Sequence, residues 1–146
     1  MVYVLADNII SPLGDTSEDN YQAVKAGKSA IRAYAPMTDG IPDGFMASLM
    51  SADFEDLVFR SAGKAIEASG IHVADDRSVF ILSSTKGAIE GLGKDADENL
   101  DLGETAQRIA TRLGFTTRPV VVCNACISGS AAMILASRLL QLGTYD

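Results

Sequence analysis

Residues 119–132 read Pro119-Val120-Val121-Val122-Cys123-Asn124-Ala125-Cys126-Ile127-Ser128-Gly129-Ser130-Ala131-Ala132. An apolar run led by three β-branched valines, with no alternation of polar residues, suits a strand covered on both faces. Pro119 can open such a strand because its missing N–H is tolerable there. From Ser128 the pattern becomes that of a helix that begins on small residues. A strand that turns directly into a helix is the repeating unit of an α/β fold with a mainly parallel sheet. Cys126 sits at the junction, close to a helix N-terminus whose partial positive charge favours thiolate over thiol. Two readings stand for this residue: a nucleophile aimed by the bend, or a buried small thiol of the kind common in protein interiors.

The segments upstream repeat the alternation. Val2–Ala6 is apolar and reads as a first strand. Ser11-Pro12-Leu13-Gly14 reads as a turn. Thr16 is an N-cap for a helix with Glu18 and Asp19 in its first turn and Gly27 as its stop. Residues 28–50 have no convincing period and are broken by Pro36, Gly40, Pro42 and Gly44, with a short strand expected around Phe45–Leu49. Phe54, Leu57, Val58, Ser61, Ala62, Ala65 and Ile66 then recur at helical spacing up to Gly70. Val79–Leu82 reads as a covered strand and residues 83–102 as a loop rich in Gly and Asp. Ala106, Ile109, Ala110 and Leu113 mark another helix, stopped by Gly114.

The last predicted helix, Ser128 to Leu142, carries Arg138 as its one charge, and apolar residues cover most of its circumference. Such a helix is buried on several sides. Three strands and four helices are too few to cover it, so the expectation is a fragment whose missing layer comes from further chain or from a partner.

Composition excludes several classes. The 146 residues suffice for one domain with a core, and 47% hydrophobic content is ordinary for a globular protein. No apolar stretch is long enough to span a membrane, and the N-terminus lacks the basic region of a signal peptide. A net charge of −7 argues against a nucleic-acid-binding surface. Two cysteines form no disulfide framework and fit a reducing, cytoplasmic setting.

Cys123 and Cys126 also spell C-x-x-C, the spacing of a thiol redox pair. Cys123, however, falls within the apolar strand run, where a buried residue is expected. A zinc site needs four ligands, and the chain offers two Cys and a single histidine, His72, in a loop. No metal is expected. Gly87 to Lys94 fails as a phosphate-binding loop: Ala88 stands at the first glycine, Asp95 replaces the Ser or Thr, and Glu90 repels phosphate.

Taken together, Ser11-Pro12-Leu13-Gly14 after a first strand, the helix ending Ala26-Gly27-Lys28-Ser29, and Asn124-Ala125-Cys126-Ile127-Ser128-Gly129-Ser130 resemble the β-ketoacyl-ACP synthases. The Ala65–Gly70 helix end and the strand into Ser83-Ser84-Thr85-Lys86-Gly87 fit the same order, so the resemblance spans residues 1–146. It implies a thiolase-like fold with helices on both faces of the sheet, of which this chain is the N-terminal half. It implies decarboxylative Claisen condensation of an acyl thioester with malonyl-ACP, in fatty acid or polyketide-type synthesis. Cys126 would be the nucleophile and its backbone N–H one oxyanion donor. No cofactor is implied, since the substrates ride on the phosphopantetheine of acyl carrier protein. A homodimer, or a heterodimer with a related subunit, is implied. The family's two catalytic histidines belong to the other half, and His72 matches neither, so the chain alone is expected to be inactive in condensation. Where elongating members carry basic residues for the carrier protein, this chain has Phe45–Met50, with Arg60 and Lys64 further along. The alternatives are a C-x-x-C thiol redox protein and a non-catalytic partner subunit.

Overall fold

In the computed structural model the described residues are 1–35, 44–89 and 101–146. They form a mixed α/β protein with two small sheets, one of them parallel. The chain divides into two units, Asp7–Ala52 and a second made of Met1–Ala6 with Asp53–Asp146.

In the first unit the Ser-Pro-Leu-Gly turn is closed by two backbone bonds, Ser11 N–H to the Gly14 carbonyl at 2.9 Å and Gly14 N–H to the Ser11 carbonyl at 3.0 Å. Thr16 caps helix α1 (Ser17–Lys25) as its sequence predicts, its Oγ1 accepting from the Asp19 N–H at 3.1 Å. Asn20 is the polar centre of this unit. It is buried, and its side-chain amide donates to the carbonyls of Ile9, Gly14 and Thr16 at 3.0, 3.0 and 2.8 Å. A buried amide must find such partners, and here they come from the chain just before its own helix: Ile9 ahead of the turn, Gly14 within it and the N-cap Thr16. Strand β1 (Arg32–Tyr34) pairs antiparallel with β2 (Phe45–Ala47), and Tyr34 stacks on Phe45 with ring centroids 5.7 Å apart. The strand expected near Phe45 is therefore present, while β1 has no sequence signal. Pro36, Gly40 and Pro42 lie outside the described residues.

In the second unit, helix α2 (Phe54–Ser69) and helix α3 (Leu102–Leu113) end on Gly70 and Gly114, with φ of 69° and 90°. That left-handed conformation is open to glycine without a Cβ penalty, which is why both helices stop where the sequence predicts. Asp101 caps α3 by accepting from the Gly103 and Glu104 N–H groups at 2.8 and 3.1 Å. α3 packs on α2, where Arg112 pairs with Asp56 at 2.9 Å and lies over the Phe59 ring at 4.3 Å. The inner face of α3 is the core: Thr105, Ala106, Ile109 and Ala110 are wholly buried. Strand β3 (Ile81–Ser83) runs parallel to β4 (Val120–Val122), in the register Ile81 to Val120, Leu82 to Val121 and Ser83 to Val122. Helix α3 forms part of the connection between them, and α4 (Ser128–Gln141) follows β4 and packs on both strands.

One expectation is corrected. Val2–Ala6 is not a strand: residues 1–6 make no ladder, and Tyr3, Val4 and Leu5 are largely exposed. Extended apolar chain becomes a strand only where a neighbour accepts its hydrogen bonds, and none of the described strands does so. Helix α4 keeps an uncovered apolar side, as the shortage of covering elements in the sequence predicts. Leu135, Ala136 and Leu139 are half-buried, while Met133 and Ile134 are 69% and 53% exposed. The parallel sheet of the described residues has two strands, and the second sheet is antiparallel. Among the described residues no helix is long and apolar enough to cross a membrane.

Candidate active site

β4 ends at Val122, and the chain then turns within four residues into a short 3-10 helix, Ala125–Ile127, which runs directly into α4. The turn's backbone bonds run from the Ile127 N–H to the Asn124 carbonyl at 3.1 Å and from the Ser128 N–H to the Ala125 carbonyl. The N–H groups of Ala125 and Cys126 take no part in them, as the first donors of any helical turn do not. Ala125 has φ of 46°, the one positive value at a non-glycine among the described residues. Such a conformation costs an L-residue energy and is held by its surroundings.

Cys126 is exposed. Its segment lies beyond the carboxyl ends of the two parallel strands, since Ser83 and Val122 are the last pair in register and the Ser84 N–H still reaches the Val122 carbonyl at 3.3 Å. In α/β sheets this edge is where ligands bind. An ideal Cβ built on Gly129 meets nothing within 4 Å, so the start of α4 stands open beside the thiol. Of the two readings for Cys126, the buried thiol is therefore the one the structure removes.

Cys123 is exposed as well, against the expectation of a buried strand residue. The ladder stops at Val122, so Cys123 belongs to the bend. Both cysteines are free thiols. His72 is an exposed loop residue whose carbonyl accepts from the Ser78 hydroxyl at 3.1 Å. It precedes β3, at the amino edge of the sheet, whereas Cys126 follows β4 at the carboxyl edge. The structure does not bring the two together. Among the described residues no group of three His, Cys, Asp or Glu could hold a metal ion. Glu90 to Lys94 lie outside the described residues, so only Gly87–Ile89 of the glycine-rich loop are seen. There the Ser84 Oγ accepts from the Gly87 N–H at 3.0 Å and closes a tight turn after β3.

A cavity of about 190 Å³ lies between the amino ends of the strands and the far end of α4, lined by Val79, Ile81, Phe115, Leu139 and Leu140 among others. It shares no residue with the Cys126 bend.

The residue that sequence reasoning missed is Ser128. Read only as a small side chain, it is the one buried residue of α4. Its hydroxyl donates to the Ala125 carbonyl and accepts from the Asn124 N–H, both at 2.7 Å. A serine at a helix start was the available signal, but this hydroxyl bonds backward to the bend instead of forward to the helix.

No protein-family model matches the chain, and a search of curated proteins returns no match.

Proposed function

We propose that this chain is the nucleophile-bearing half of a β-ketoacyl-ACP synthase with a thiolase-like fold, acting in the cytoplasm in fatty acid or polyketide-type synthesis. The observation that carries the reading is the exposed Cys126 in a constrained bend between a parallel strand and a helix, beside backbone N–H groups that the turn leaves unused. The Cys126 sulfur, as thiolate, attacks the carbonyl of an acyl thioester on the phosphopantetheine of acyl carrier protein. The tetrahedral oxyanion accepts a hydrogen bond from the Cys126 N–H, in the field of the α4 N-terminus. The C–S bond to pantetheine breaks, the pantetheine thiolate leaves and takes up a proton, and the acyl group remains on Cys126. A malonyl-ACP carbanion, formed by loss of CO₂, then attacks this thioester and releases the thiolate.

The groups that promote decarboxylation and the second oxyanion donor come from a complementary half that covers the exposed Met133–Ile134 side of α4. The assembled enzyme is a homodimer or a heterodimer with a related subunit. The exposed apolar side chains of α4 support this arrangement.

The test is to incubate the complete protein with an acyl-pantetheine thioester and map the product by peptide mass. The expected result is one acyl group on Cys126, released by hydroxylamine, absent from Cys126→Ala and retained in Cys123→Ala. Acylation of neither cysteine, or of both equally, overturns the reading. A Cys126→Ala enzyme that still condenses at the normal rate would instead identify a non-catalytic partner subunit.

A further inference from the structure

We infer that Ser128 is the positioning residue of the Cys126 bend, an assignment that rests on the acyl-acceptor reading and adds to it what holds the nucleophile in place. The bend needs a restraint, because Ala125 lies at φ 46°, where an L-residue does not rest unaided. The Ser128 hydroxyl supplies it from both sides. It takes the Asn124 N–H and gives its proton to the Ala125 carbonyl, so the residues flanking the Asn124–Ala125 peptide are tied to one buried oxygen.

Two consequences follow for the thiol. The Asn124 N–H, which β4 no longer pairs, is satisfied within the bend instead of by water. The Ala125 carbonyl is held toward the helix start by the same hydroxyl, and the Cys126 N–H, which lies in the same planar trans peptide, is thereby fixed in the opposite direction. Cys126 is thereby carried at the α4 N-terminus by its neighbours' bonds and makes no side-chain hydrogen bond of its own among the described residues. Ser130, two residues on, is exposed and serves as the control.

The test joins amide exchange with alkylation, neither of which requires acyl transfer, so its failure is distinct from failure of the acyl-acceptor reading. In the unaltered protein the Asn124 amide is expected to be protected from exchange although it lies outside strand and helix. An Asn124 amide exchanging as freely as that of Ala125 overturns the inference without any variant. In Ser128→Ala that protection is lost, and the rate of iodoacetamide alkylation at Cys126, divided by that at Cys123, changes about fivefold, as for one lost buried hydrogen bond. Ser128→Thr, which keeps the hydroxyl, restores both, and Ser130→Ala leaves both unchanged. Lost protection with an unchanged alkylation ratio makes Ser128 a structural residue only and overturns the positioning role.

Discussion

Replacing Ala125 by glycine tests the bend through its backbone. At φ 46° the alanine Cβ crowds its own carbonyl, at a cost of about 1–2 kcal/mol for an L-residue. Glycine removes that cost but adds freedom to the unfolded chain, worth about 0.4–1 kcal/mol against the folded state. The net effect of Ala125→Gly is a gain of about 0.5 kcal/mol. The same exchange at Ala132, inside α4, has no strain to relieve and costs about 1 kcal/mol from helix propensity alone. Ala125→Val goes the other way, since a β-branched residue tolerates positive φ least, and loses at least about 1 kcal/mol. Urea unfolding of the three variants, with midpoints compared at constant slope, gives the order Ala125→Gly, unaltered protein, Ala125→Val, with Ala132→Gly below the unaltered protein. An Ala125→Gly loss as large as that of Ala132→Gly would refute the left-handed bend, because an alanine in an ordinary conformation has no strain to give back.

Two further outcomes follow from the second unit. Ile109 is wholly buried on α3, so Ile109→Ala should cost about 2–5 kcal/mol and Ile109→Val about 1 kcal/mol in urea unfolding; an alanine variant within 1 kcal/mol of the parent would show that α3 does not centre the core. Arg77 donates through Nε to the Asp146 carboxylate at 3.0 Å and through Nη1 to the Gly143 carbonyl at 2.9 Å, and its hydrogen bond holds the Asp146 carboxyl below the ordinary carboxylate range. A carboxyl whose folded-state pKa is depressed stabilises the fold above its unfolded-state pKa, and that contribution disappears as pH falls through the folded value. The difference in stability between the parent and Arg77→Gln should therefore be constant at neutral pH and shrink only on acidification below the ordinary carboxylate range; a difference unchanged there would exclude the pair as its source.

Punctuation is what the sequence displays best. Thr16, Gly70 and Gly114 each act through their own backbone or a neighbour's N–H, so the boundaries of α1, α2 and α3 were legible from local chemistry. Strands β3 and β4 and the parallel character of their sheet were legible as well, from unalternating apolar runs separated by a helical pattern. Partnership was not legible. Val2–Ala6 has the composition of a strand and no partner among the described strands, while Arg32–Tyr34 lacks a strand pattern and has one in Phe45–Ala47. At the site, Cys126 could be singled out because chemistry marks a thiol at a helix start. The positive φ fell on Ala125 beside Asn124, the residue type better suited to it, and Asn124 instead has φ of −141°. No reading of residue types assigns that exchange, and without it the hydroxyl of Ser128 has no visible task.

The register of β3 on β4 also bears on the order in which the molecule is made. Ile81 and Val120 are 39 positions apart (120 − 81), and bringing them together costs roughly 3 kcal/mol of loop-closure entropy before any ladder bond repays it. Parallel pairing cannot be shortened by a hairpin, so this cost is met through the long crossover that includes α3. The platform of Cys126 is thus expected to form late in folding, and a chain that stalls before closure would display a C-x-x-C segment with no sheet edge behind it.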